Sequence, residues 1–137
     1  AANNTAEVQL RNINLNLKDL NTYATAYNDG DFGVYAETGQ GYVRISDNCY
    51  FNNAPTQVFV KDYSRTGGRR ILDVIESSFN NPTYGAVFVS GGSDWSVQNS
   101  IIENFWQNGV DGTDTPGRAM IMNNTFNGKS DALSGGC

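Results

Sequence analysis

The sequence predicts an all-β, single-domain solenoid with parallel strands, on three observations. First, a ten-residue phrase recurs. Leu72 to Asn81, Trp95 to Asn104 and Ala119 to Gly128 share one frame: apolar, any, apolar, any, Asn or acid, two small or polar residues, large apolar, any, Asn or Gly. Second, the period is steady. Val74 to Val97 is 23 positions and Val97 to Ile121 is 24, a spacing that belongs to stacked repeats. Third, two looser copies lie upstream, Val43 to Asn53 with one extra residue before Phe51, and Val8 to Leu17. All copies run in the same sense, so neighbouring strands are parallel. One turn of a coil supplies the long crossover that parallel strands need, and the inner residues then form one continuous core.

The elements follow in order. Val8 to Leu17 alternates apolar residues with Asn and Gln, the period of a strand. Lys18 to Asp31 is a polar insertion that ends in the turn Asn28-Asp29-Gly30-Asp31, with room in Lys18 to Ala26 for one or two helical turns. Phe32 to Ala36 is a short strand, and Thr38 to Gly41 a turn. After the Val43 copy, Pro55-Thr56 leads into Val58-Phe59-Val60, and Tyr63 to Arg70 is a loop. Asn80 to Thr83 leads into Ala86 to Val89, which repeats that succession. Ser90 to Asp94 turns into the Trp95 copy. Asn108 to Gly112 takes the place of the second strand, and Thr113 to Gly117 is a loop. Each repeat therefore holds two or three short strands. The whole is one domain, residues 1–137, of about five short coils, with residues 129–137 as a polar tail or cap.

Composition narrows the function classes. A chain of 137 residues can bury a core. A net charge of −5 and a pI near 4.4 argue against nucleic acid or an anionic membrane as partner, because both need clustered Lys and Arg. Arg65, Arg69 and Arg70 make the one basic cluster. No apolar run approaches the roughly 20 residues of a membrane helix. Abundant Asn and Gly suit a chain that turns often. With no His, the commonest general base and zinc ligand is missing. Cys49 and Cys137 are either two free thiols or a disulfide that ties down the C-terminus in an oxidising compartment. Ala1 to Thr5 reads as the mature end left after removal of a signal peptide.

The phrase Val97-x-Asn99-x-x-Ile102-x-Asn104, with its counterparts at Val74, Ile121 and Ile45, resembles the right-handed parallel β-helix of the pectin-lyase-like superfamily. The resemblance covers roughly residues 7–128. It implies that the Asn after the first strand sits at a corner and stacks in a ladder up the coil. It also implies an extracellular or cell-surface protein that acts on polysaccharide.

The ladder position reads Asn12, Asp47, Glu76, Asn99 and Asn123. Adjacent rungs are about 4.8 Å apart, near the roughly 5–5.5 Å that separates the carboxyls of a retaining glycosidase. Asp47 and Glu76 therefore fit as acid and nucleophile. They fit better as acids that replace Asn as hydrogen-bond acceptors at the corner. The column between the inner apolar residues, Gln9, Arg44, Asp73, Ser96 and Met120, is expected to face outward, with Arg44 and Asp73 as a surface ion pair. On the second strand, Val58, Val60, Val87 and Val89 face in. Tyr35, Phe59 and Phe88, aligned with Asp111, then form an outward stripe. Such a stripe either stacks on sugars or a partner, or is covered by a loop. Trp95 is read as core and Trp106 as an exposed ring.

No cofactor and no metal-ligand set is assigned. The acidic loops Asn28 to Asp31 and Asp111 to Asp114 are the alternative, as Ca²⁺ sites built from oxygen ligands. Asn3-Asn4-Thr5 and Asn123-Asn124-Thr125 match the glycosylation triplet. Two functions follow. One is a polysaccharide-binding or polysaccharide-cleaving module, with Tyr35, Phe59, Phe88, Trp106 and Asp111 on the sugar and, if it cleaves, Asp47 and Glu76 as the catalytic pair. The other is a structural protein whose open coil ends recruit further copies into a homo-oligomeric filament.

Overall fold

The structure is a computed structural model that describes residues 7–17, 32–38, 41–62, 69–91, 93–113 and 117–129. In chain order the strands are β1 (Glu7–Arg11), β2 (Asn14–Asn16), β3 (Phe32–Thr38), β4 (Tyr42–Ser46), β5 (Tyr50–Asn52), β6 (Thr56–Asp62), β7 (Arg70–Ile75), β8 (Ser78–Asn80), β9 (Gly85–Gly91), β10 (Asp94–Gln98), β11 (Ile101–Phe105), β12 (Asn108–Thr113), β13 (Ala119–Met122) and β14 (Thr125–Gly128). They form three sheets. Sheet A has the order β1-β4-β7-β10-β13, sheet B β14-β11-β8-β5-β2, and sheet C β12-β9-β6-β3. Every pairing is parallel. The protein is all-β, and among the described residues there is no helix. The chain visits A, B and C in turn and then returns to A.

Register explains why these segments form these sheets. In sheet A, Val8, Val43, Leu72, Trp95 and Ala119 make one row, and Leu10, Ile45, Val74, Val97 and Ile121 another. In sheet B, Leu15, Phe51, Phe79, Ile102 and Phe126 align. In sheet C, Val34, Val58, Val87 and Val110 align. The middle members of these rows form one buried cluster. Phe51 lies stacked on Phe79 at 5.0 Å between ring centroids. A one-residue slip would turn every inner side chain outward, so the apolar pattern holds the register.

The corners are left-handed. Asn12, Asp47, Asn48, Glu76, Asn99 and Asn123, between sheets A and B, have φ of 49° to 62°. Asn53, Ala54, Asn81 and Asn104 repeat the device after sheet B. Asn tolerates this region because its short amide bonds locally, whereas other L-residues pay about 1–2 kcal/mol. The extra residue of the second copy is absorbed at its corner, where Asp47 and Asn48 are both left-handed. It is the Asn48 amide that reaches the Glu76 carbonyl, at 2.9 Å.

Two expectations are corrected here. The side-chain ladder does not run through Asn12, Asp47, Glu76, Asn99 and Asn123, which are all exposed. It runs through the ends of the first four phrases. Asn52 Nδ2 donates to Asn16 Oδ1 at 2.9 Å, Asn80 to Asn52 at 2.7 Å and Asn104 to Asn80 at 2.7 Å. The residues of the first corner project into solvent, whereas Asn16, Asn52 and Asn80 meet in register, and Asn104, one residue beyond Glu103, the register partner of Asn80, reaches back to it. The column Gln9, Arg44, Asp73, Ser96, Met120 is exposed only at its ends, and Asp73 and Ser96 are buried. Polar side chains from neighbouring positions bond to Asp73 and Ser96.

Cys49 is buried, carries a free thiol and lies within 3.2 Å of the Ser46 carbonyl. Cys137, the insertion Lys18 to Asp31, Ala1 to Thr5 and most of the 129–137 tail lie outside the described residues. Phe79→Ala removes the centre of the sheet B row, and unfolding in urea should show a loss of about 3–5 kcal/mol.

Candidate functional site

The outer face of sheet C is built by alternation. Val58, Val60, Val87 and Val89 are fully buried in the core, which places Phe59 and Phe88 on the opposite face, outside the core cluster. Register sets Tyr35, Phe59, Phe88 and Asp111 in one column, and Glu37, Lys61, Ser90 and Thr113 in a second, two residues further along. The rings touch. Tyr35 lies 5.4 Å from Phe59, and Phe59 lies 4.9 Å from Phe88, edge to face. Phe32 packs on both Tyr35 and Phe59, and Tyr84 on Phe88. The Tyr35 hydroxyl donates to the Glu37 carboxylate.

The expected open stripe is only partly open. Tyr35 is 48 % exposed, but Phe59 and Phe88 retain 5 % and 6 %. They face outward as expected, yet both are buried, so they back the Tyr35 ring and are not themselves an open surface. Trp106 is half-buried rather than an exposed ring, and the Lys129 ammonium stands 4.3 Å from the ring centroid. Asp111 is half-buried and held by Asn108 Nδ2 at 2.9 Å and by the Thr113 hydroxyl at 3.2 Å. Trp95 is core, as expected.

Asp47 and Glu76 sit on the corner between sheets A and B, both exposed. Asp47 Oδ2 lies 3.5 Å from Arg11 Nε and accepts from the Ser46 hydroxyl at 3.1 Å. Among the described residues nothing encloses either carboxyl, and neither shares a sheet with the aromatic column. The structure thus brings Tyr35, Phe59, Phe88 and Asp111 together and leaves Asp47, Glu76 and Trp106 elsewhere.

The outer face of sheet A carries a network that the repeat pattern conceals. Asp73 is rung neighbour to Arg44, as expected, but its ion pair is with Arg70, at 3.4 Å, rather than with Arg44. It also accepts from the Tyr42 hydroxyl at 2.6 Å and from the Ser96 hydroxyl, which in turn accepts from Gln98 Nε2 at 3.0 Å. Beside it opens a cleft of about 690 Å³ lined by Arg70, Asp94, Arg118, Ala119 and Met120. The Asp94 carboxylate accepts the Arg118 backbone N–H at 2.8 Å, which ties the cleft's two walls. The signal that could have found this network is Tyr42 two residues before Arg44, on the same side of β4 and one rung from Asp73.

Among the described residues no three His, Cys, Asp or Glu gather as a metal site. Asp114 and the loop Asn28 to Asp31 lie outside the described residues.

Two outcomes follow from these geometries. Burial first, and then the hydrogen bond to Asp73, push the Tyr42 phenol up to about 12. The folded state therefore holds this proton more tightly than the unfolded chain. Its contribution is full below pH 10 and is lost as pH rises towards about 12. Denaturant titrations above pH 10 should show that slope, and Tyr42→Phe should flatten it. Glu76→Asn should raise stability by roughly 0.5–1 kcal/mol, because Asn accepts the left-handed corner more readily; thermal unfolding checks it. No protein-family model, curated protein or solved structure matches this chain.

Proposed function

We propose that sheets A, B and C are the faces of a right-handed parallel β-helix of about five turns, of the pectin-lyase-like kind. The repeated visiting order, the parallel register and the left-handed Asn corners support this reading. We further propose that it is an extracellular polysaccharide-binding module whose sugar lies on the outer face of sheet C.

One observation carries the functional reading. An in-register aromatic column ends in the exposed ring of Tyr35, beside a second column that supplies a carboxylate, an ammonium and two hydroxyls from Glu37, Lys61, Ser90 and Thr113. An aromatic ring stacks on the apolar face of a sugar, and adjacent polar groups take its hydroxyls. Phe59 and Phe88 fix the ring in place, which reduces the ordering cost of binding. On a three-faced prism the corner of Asp47 and Glu76 lies opposite sheet C. A glycan held by Tyr35 is then remote from both carboxyls, so the reading commits to binding and not to cleavage.

Affinity electrophoresis against a panel of neutral and acidic polysaccharides tests it. At least one polysaccharide should retard the protein, and Tyr35→Ala should weaken that binding roughly tenfold, the effect of about 1.4 kcal/mol. Asp47→Asn and Glu76→Gln should bind as the parent does. Unchanged retardation of the Tyr35 variant would remove the site.

A further inference from the structure

We propose that a second copy of the chain docks head to tail, so that its β1 and β2 continue sheets A and B beyond β13 and β14 of the first. This interface stands apart from the sugar reading and involves none of its residues.

Apolar side chains of the core rows are exposed at both ends of these two sheets. Every residue of β13 and β14 is exposed. Ile121 and Phe126 are 48 % and 43 % exposed, although Val97 and Ile102, the previous members of their rows, are fully buried. At the opposite edge Val8 is 49 % exposed, and Leu10 and Leu15 are half-buried. The deficit is thus the same at each end: an apolar row lacking its next rung. Among the described residues β1 and β13, like β2 and β14, each have a hydrogen-bonded neighbour on one side alone. Strand edges of this kind recruit further strands.

The fit selects the occupant. Because all pairings are parallel, β1 of another copy meets β13 in the sense in which β13 meets β10. Carrying the register forward by one repeat sets Val8 on Ala119, Leu10 on Ile121 and Leu15 on Phe126. It also sets Glu7 on Arg118, opposite charges on neighbouring strands. The asparagine ladder has a polarity that agrees. Each Nδ2 donates to the Oδ1 of the rung before it, from Asn104 through Asn80 and Asn52 to Asn16. Among the described residues Asn16 is the first of this series. Carrying the register forward sets it on Asn127 of the first copy, the partner of Glu103. An interface that joins two different ends is heterologous and does not close, so it adds copies into a filament.

Sedimentation velocity of the whole chain over a concentration series, with negative-stain microscopy, tests the proposal. The weight-average mass should climb with concentration without a plateau, and short rods should appear. Ile121→Lys places a charge in the apolar row and should weaken association more than about tenfold. Glu7→Arg and Arg118→Glu should each weaken it by roughly fivefold, and the double reversal should restore it. Tyr35→Ala should assemble normally, which separates failure here from failure of the sugar site. The interface is overturned by a protein monomeric at every concentration, by a closed dimer, or by reversals that fail to compensate.

Discussion

The structure depends on stacking each residue directly over its counterpart one repeat away. Parallel pairing in register is what allows a 23- or 24-residue period to become a core, since like side chains then meet like. Apolar rows gain by burial, at about 25 cal/mol per Å² removed from water. Asn rows gain by amide-to-amide bonds. Acidic rows would be repulsive, and Asp47 and Glu76 escape this because their corner turns them into water. The left-handed backbone at that corner is the companion constraint. Without it a strand of sheet A could not pass so tightly into sheet B.

Much of this architecture is legible in the residues. Periodicity identifies the inner members Val74, Val97 and Ile45, and Asn or acid after the first strand marks the turn. The location of the ladder is harder to read, because two Asn positions occur in each phrase. Asn99 and Asn104 are alike in the sequence, but only Asn104 bonds to the Asn of the neighbouring repeat. Periodicity is blind to which of two corners points its amides along the stack.

The surface is less legible than the core, for a physical reason. Alternation says which face a side chain leaves from, and nothing about what then lies over it. Phe59 and Phe88 leave the outer face and are nonetheless buried, with the rings of Phe32, Tyr35 and Tyr84 packed on them. Asp73 leaves the outer face of sheet A and is buried by Tyr42, Arg70 and Ser96, none of which is close to all the others in the chain. Aromatic and polar columns create their own cover when they line up, so exposure is a property of the stack and not of the strand.

Cys49 illustrates what a fixed row implies for a reactive group. Backbone bonds align it with Ser77, Ser100 and Asn124, and its sulfur sits against the Ser46 and Leu10 carbonyls. A thiol so enclosed meets an alkylating reagent only when the strands on either side part. Its labelling rate is therefore a clock for the opening of the second repeat, supplied by the molecule without an added probe.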